Sequence, residues 1–405
     1  MENDTVALRA APNGNGIEAF RTLPWVQLRL IVVIPFLIMV AMLNFAPLLP
    51  QVREELGLSN TWVAFLTSAT LLTHTFLQLL GGHITDSLGA KRSVTIGIGI
   101  AGAAVVASGL APNLPLLLLS RLLLGVGTAM AFIAGLAFTN GLVSAEKRIP
   151  AQSIYGAAAS AGVLTMLLFS ERVANLGSWR VAFVAEGAAI VVVGLLVASG
   201  LDGSPTEHAA PPTPWKETFA QTPLYMLGLA HVITYGTFIG ITSWVVTFLW
   251  QSQGVGLEWA GPLSALLTVS AIAGRAVGGI FSVGRERPLI VVTCAATALC
   301  VGLLAITPGV VSALLVIIAF GWFVSIPFGA IFSYASLISG RPASGRELSL
   351  INFIANLGAL AFPPLIGYAL DRTGSFAAGF GALAAIGTVG ALALALWLPR
   401  ARTAS

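Results

Sequence analysis

Apolar residues in this sequence come in blocks of about 20, separated by short polar breaks, and that spacing constrains its fold more than any other feature. An α-helix rises 1.5 Å per residue, so a block of about 20 residues crosses the roughly 30 Å of hydrocarbon in a bilayer. The blocks run near 28–50, 60–82, 93–110, 115–138, 150–170, 181–200, 223–250, 262–283, 288–306, 310–334, 347–369 and 376–398. Alternating decamers of the kind that build outer-membrane barrels are absent. Only 9% of the residues are charged, against roughly 25% in soluble domains, too few to cover a water-exposed surface. The expectation is an all-α membrane protein of twelve transmembrane helices.

Residues 1–24 lack the basic segment and small-residue cleavage site of a secretory signal and are expected to be a disordered cytoplasmic tail. Residues 25–200 and 223–399 read as two six-helix bundles, joined by a Pro-rich cytoplasmic linker at 201–222, with a short tail at 400–405. With the N-terminus inside, fourteen Lys and Arg fall on the cytoplasmic side, against Arg53, Arg172, Arg180 and Arg372 outside. The positive-inside rule therefore puts both termini in the cytoplasm and the chain in the inner (plasma) membrane. Lipid topology accounts for the basic pI, and no nucleic-acid partner is needed. Cys294 and Cys300 are six residues apart in one helix, an arrangement that suits neither a disulfide nor a metal pair. No metal and no cofactor are expected.

A shift of 197 positions aligns Trp62 with Trp259, Gly81-Gly82 with Gly278-Gly279, Gly177-Ser178 with Gly374-Ser375, and Phe183 with Phe380, without a gap. The molecule thus reads as a duplicated six-helix unit, two pseudo-symmetric bundles. Such repeats place a solute site near the midplane between the halves, reached alternately from either side.

The loop after the second helix reads Gly82-His-Ile-Thr-Asp86-Ser-Leu-Gly89-Ala-Lys91-Arg92, and the fourth helix carries Arg121-Leu-Leu-Leu-Gly125-Val-Gly127. Both resemble signatures of the major facilitator superfamily, and the resemblance of architecture covers the whole chain. It implies a secondary transporter acting as a monomer, with Gly82, Asp86, Gly89, Lys91, Arg92, Arg121 and Gly125 serving conformational gating. In this reading Asp86 and its basic neighbours pair with each other and with helix ends when the cytoplasmic side is closed. Ser87 replaces the usual basic residue, and Val283 stands where Asp86 would recur in the second half. The fifth helix, around Gly156 and Gly162, lacks the Gly-Pro signature of drug/proton antiporters.

An ionisable side chain at membrane depth costs several kcal/mol unless paired or hydrated, which makes each one a functional candidate. Arg275 lies about 13 residues, roughly 20 Å, from the outer end of the eighth helix, and no deep carboxylate is available to pair with it. Arg121 and Glu186 lie at similar depths and could pair, the other reading being the conformational role that the resemblance implies for Arg121. A lone guanidinium in a cavity suits an anion, which supplies the missing counter-charge through a bidentate hydrogen bond; the other reading is that it snorkels or bonds helix carbonyls. Asn352 and Asn356, spaced i and i+4, share one face of the eleventh helix near that depth. Asn44, His231, Tyr235 and Trp244 are further candidates for the lining. His74 and His231 could titrate, although a structural histidine is the commoner case.

Within the superfamily, nitrate/nitrite carriers place Arg in the second and eighth helices, but the position matching Arg275 is Gln78. Oxalate/formate exchangers add an eleventh-helix Lys, where this chain has Asn352 and Asn356. A single eighth-helix Arg looks most like monocarboxylate carriers. The expected function is alternating-access transport of a small anion, a monocarboxylate or similar monovalent species. Competing readings are an exporter of lipophilic compounds, with Trp244, Trp250, Trp322 and Phe328 lining its cavity, and a nitrate/nitrite- or cyanate-type carrier. No nucleophile, acid pair or metal cluster suggests an enzyme.

Overall fold

The structure is a computed structural model of the 405-residue chain and describes residues 16–44, 48–57, 60–174, 177–202, 213–341 and 343–400. Among these residues twelve long helices are found. In the first half they are α1 (Trp25–Leu43), α2 (Asn60–Leu88), α3 (Ala90–Leu110), α4 (Leu114–Leu142), α5 (Arg148–Ala174) and α6 (Trp179–Gly200). The second half contributes α7 (Thr222–Gln251), α8 (Leu257–Phe281), α9 (Glu286–Ile306), α10 (Val310–Ser339), α11 (Gly345–Thr373) and α12 (Phe376–Trp397). Helices dominate because hydrocarbon offers no partner for a backbone N–H or C=O, and a helix satisfies both internally. Large apolar side chains such as Leu196, Val292, Ile306 and Val311 face outward, a surface suited to lipid and not to water.

The duplication is visible at matching positions. Ser178 accepts a hydrogen bond from Val181 N at the start of α6, and Ser375 accepts one from Ala377 N at the start of α12. In α2, a Cβ at Gly82 would fall 2.7 Å from the Gly345 carbonyl oxygen of α11. In α8, a Cβ at Gly279 would fall 2.8 Å from Ser153 Cβ of α5. The repeated glycines thus let α2 approach α11 and α8 approach α5, two equivalent crossings that join the halves.

The two ends of the described chain, near Thr22 and Leu398, lie on one face, called here the terminal face: Lys147 Nζ donates to Thr22 O at 3.1 Å, and Arg287 Nε donates to Leu398 O at 2.8 Å. One hydrophobic core fills the first half and continues into Phe332, Leu348 and Ile351 of the second. A separate core around Phe248, Phe320 and Phe380 fills the rest of the second half.

Several helices are interrupted. In α1 the segments Trp25–Ile31 and Val33–Leu43 meet at Val32, and Pro35 lacks the N–H that would bond back one turn. α10 breaks between Val310–Ser325 and Phe328–Ser339, where Pro327 removes another such bond. A π-turn, Val232–Gly236, interrupts α7 directly after His231. The first helix was expected to run to residue 50; instead it ends at Leu43, and a separate helix Leu49–Leu56 follows.

The expected tail and linker fall partly on residues 1–15, 203–212 and 401–405, outside the described residues. Within the expected tail, Gly16–Arg21 forms a short helix with Glu18 in its first turn and Arg21 in its last, each matched to the helix dipole. In the expected linker, Trp215–Ala220 is helical, and Trp215 stacks on Phe219 at 5.2 Å between ring centroids.

Glycine contacts also set helix spacing within each half. A Cβ at Gly127 of α4 would lie 2.7 Å from Gly97 O of α3. Gly127→Val is therefore expected to cost about 1–3 kcal/mol through overpacking and to lower the melting temperature of the purified protein. Gly99→Ala, at a position with nothing within 4 Å, should leave that temperature unchanged or slightly raised.

Candidate functional site

A cavity of about 630 Å³ lies between the two halves. α2 and α4 contribute His74, Arg121 and Phe132 to its wall; α7 and α8 contribute His231, Tyr235, Trp244 and Arg275; α10 and α11 contribute Phe328 and Asn352. The lining extends to Leu43, Trp244 and Pro364, at the end of the bundle away from the terminal face. Trp250 and Trp322 are not among the lining residues, so of the four aromatics expected for a greasy cavity only Trp244 and Phe328 contribute.

Toward the terminal face the halves are locked together. Asp86 Oδ1 accepts from Gly345 N at 2.8 Å and Oδ2 from Arg346 N at 3.3 Å, so the carboxylate caps the first turn of α11. These N–H groups have no partner within their own helix, and the dipole there favours negative charge. Arg346 Nε lies 3.6 Å from Asp86 Oδ2, a charge contact too long for a hydrogen bond, while its Nη2 lies 2.7 Å from His83 Nδ1. Arg346 Nη1 also donates to Thr213 O at 2.7 Å, tying the linker to the same lock.

α11 starts with a capping box: Glu347 N donates to Ser344 Oγ at 3.3 Å and Ser344 N to Glu347 Oε2 at 2.8 Å. Gly89, at φ +83°, makes the turn from α2 into α3, a conformation that favours glycine. The basic neighbours of Asp86 do not pair with it: Lys91 Nζ donates to Leu201 O at the end of α6, and Arg92 is exposed. The second half supplies the charged partner instead, because α11 is the element that crosses α2 here.

Arg121 is fully buried. Its Nη1 donates to Asn44 Oδ1 at 3.1 Å, its Nη2 to Met42 O at 3.2 Å, and Asn44 Nδ2 donates to Glu186 Oε2 at 3.1 Å. Asn44 thus joins Arg121 to Glu186 and is not among the lining residues; its amide is occupied at both ends. Gly125, one turn along α4, lets α2 approach so closely that a Cβ there would meet Thr70, Thr73 and His74 N.

Arg275 is held differently. Its Nη1 donates to Gly156 O of α5, and its guanidinium carbon lies 4.6 Å from the centre of the Phe328 ring. The expected alternative, a bond to a helix carbonyl, is thus partly realised. Nε is buried without a hydrogen-bond partner, and among the described residues no carboxylate lies within ion-pair distance. Tyr235 stands beside it, and His231, one turn earlier across the π-turn, packs against Tyr235 with centroids 5.4 Å apart.

A chain of polar side chains joins two lining residues, His74 and Asn352, through Gln78 behind the wall. His74 Nδ1 is 3.0 Å from Thr128 Oγ1, and its Nε2 is 2.7 Å from Gln78 Nε2. Gln78 Oε1 accepts from Asn352 Nδ2 at 2.6 Å. Asn356 Nδ2 donates to Asn352 O at 2.8 Å; Asn356 itself is buried and does not line the cavity. The structure therefore gathers Arg275, His231, Tyr235 and Asn352 at one cavity and leaves Asn44 and Asn356 behind its wall. Sequence reasoning missed Arg346 and the Gln78–Asn352 bond, although the Ser344-x-x-Glu347 pattern was a readable signal for the start of α11.

A family model described as Major Facilitator Superfamily matches residues 31–340. The probable sulfoacetate transporter SauU of Cupriavidus necator is 25% identical over 391 residues, covering 88% of this chain and 90% of its own. The lincomycin resistance protein of Streptomyces lincolnensis is 30% identical over 178 residues, covering 43% of this chain and 36% of its own. Among solved structures, FucP, a transporter in its outward conformation, superposes with a TM-score of 0.74 at 16% identity, covering 92% of this chain and 98% of FucP.

Hydrogen bonds to a charged group contribute about 1.5–3 kcal/mol each. Asp86→Ala removes two of them together with the Arg346 contact. The expected outcome is a shift toward conformations open at the terminal face, read as faster maleimide labelling of a cysteine introduced at Ser349.

Proposed function

Because the chain belongs to the major facilitator superfamily, we propose that this multi-pass membrane transporter carries a small anion by alternating access, a monocarboxylate or similar monovalent species being the best match. One observation carries the reading: Arg275 offers a guanidinium to a cavity between the halves with no carboxylate partner among the described residues. A carboxylate or similar oxyanion entering the cavity supplies the missing charge and accepts a planar pair of N–H donors. Asn352, His231 and Tyr235 surround the same space with groups able to orient the second end of a small organic anion. The likeness to a probable sulfoacetate transporter across nearly the whole chain supports an organic acid.

In this proposal Arg121 acts as a conformational residue whose charge is met through Asn44 and Glu186. Gly82, Asp86 and Gly89 form the gate, and the described conformation is the one closed at the terminal face. The excess of Lys and Arg on that face supports a cytoplasmic assignment for both termini and insertion in the inner membrane. Closure at the terminal face then leaves the cavity facing outward.

A second reading, export of a lipophilic compound, is favoured by the apolar lining around Trp244 and Phe328 and by the partial likeness to a lincomycin resistance protein. Arg275 separates the two. For an anion carrier, Arg275→Ala is expected to weaken binding about 10- to 100-fold, the equivalent of roughly 1.5–3 kcal/mol; a lipophile exporter responds little. The measurement is thermal stabilisation and calorimetric binding with a panel of acetate, pyruvate, sulfoacetate, nitrate, neutral sugars and cationic drugs. Stabilisation confined to sugars or cationic drugs would overturn the anion reading.

A further inference from the structure

The anion reading leaves His74 unused, yet this side chain lines the cavity and begins a chain of polar side chains that ends at a second lining residue, Asn352. In that chain the donors have one direction. Asn352 gives an N–H to Gln78 Oε1, so Gln78 turns its Nε2 toward His74. An amide nitrogen only donates; His74 Nε2 is therefore the acceptor, and the ring hydrogen resides on Nδ1, facing Thr128.

A proton taken from water onto the lone pair of His74 Nε2 reverses this order. The imidazolium donates from both nitrogens, so Gln78 must offer Oε1 to it and Nε2 to Asn352. Asn352 must then offer Oδ1 to Gln78 and present Nδ2 on its far side. The bonds among His74, Gln78 and Asn352 all remain satisfied, and the one covalent exchange is the O–H bond of a hydronium ion broken as the new N–H forms.

Resting on the anion reading above, we infer that His74 is the proton-binding group of the transport cycle. Its protonation, relayed by Gln78, converts Asn352 from an acceptor to a donor toward the anion held at Arg275. The surroundings support such coupling. Phe132 and Thr128 face His74 from α4, which also brings Arg121 to the cavity; Asn352 faces it from α11. His231 and Tyr235 of α7 and Arg275 of α8 share the same space. None of the described lining residues is Asp or Glu, so a positive charge on His74 is balanced only by a negative charge that arrives with the solute. Proton and anion therefore favour each other's binding, and the favour is reciprocal.

The test uses the purified full chain with acetate, pyruvate and sulfoacetate as probes, all ionised between pH 5.5 and 8. In weakly buffered solution the wild type is expected to take up close to one proton per anion bound, and its Kd to tighten by up to about tenfold per pH unit on acidification. In His74→Gln the proton uptake and the pH dependence of Kd are both expected to vanish. Gln78→Met, which keeps the histidine but cuts the relay, should make the Kd much less dependent on pH. Anion binding that depends on Arg275 but proceeds without proton uptake in the wild type overturns this inference and leaves the anion reading standing. Undiminished proton uptake in a folded His74→Gln protein overturns it as well. Failure of every probe to bind removes both readings together.

Discussion

A charge enclosed in a low-dielectric interior must find compensation, and this requirement organises the centre of the molecule. Arg121 meets it within the protein: Asn44 and Met42 accept from its two terminal nitrogens, and Asn44 passes the connection on to Glu186. Three helices of the first half, α1, α4 and α6, are bound to one another in the process. Arg275 meets the requirement only in part, with the Gly156 carbonyl and the Phe328 ring. The contrast between a cation provided for internally and one with no carboxylate partner among the described residues is what supports the proposed site.

Pseudo-symmetry explains how the two tasks came to be separated. Gly82 and Gly279 occupy equivalent places and do equivalent work, bringing α2 against α11 and α8 against α5. The residues beside them have diverged. Asp86 ties the first crossing to a helix end, whereas Val283 stands at the matching place in the second. Gln78 and Arg275 are another equivalent pair, one bonded to His74 and Asn352 behind the wall and the other lining the cavity. The two copies of the crossing keep the glycine contact and differ in the polar residues beside it.

Much of the architecture was legible in the sequence because lipid imposes a length rule with few exceptions. The expected spans at 60–82 and 376–398 begin at the same residues as α2 and α12. Arg275 was legible for a similar reason, since one charge in an apolar block stands out against its neighbours. Pairings were not. Asp86 and Gly345 lie 259 positions apart, and Asn44 and Glu186 lie 142 apart; periodicity shows which face of a helix is buried but not what it meets. The π-turn after His231 had no signature, and the break in α10 was hidden inside an unbroken apolar run despite Pro327. Asn44 and Asn356 were misplaced as lining because burial and access to a cavity look alike in a one-dimensional pattern.

The cap that Asp86 places on α11 bears on how the proposed gate would open. While the two helices touch, the carboxylate meets N–H groups that their own helix leaves idle. When they part, hydrocarbon can solvate neither side, so water must advance into the widening gap as the separation proceeds. Opening is thus a wetting event as much as a rotation. Its rate should follow the activity of water, and solutes excluded from narrow crevices should slow the cycle without touching the solute site.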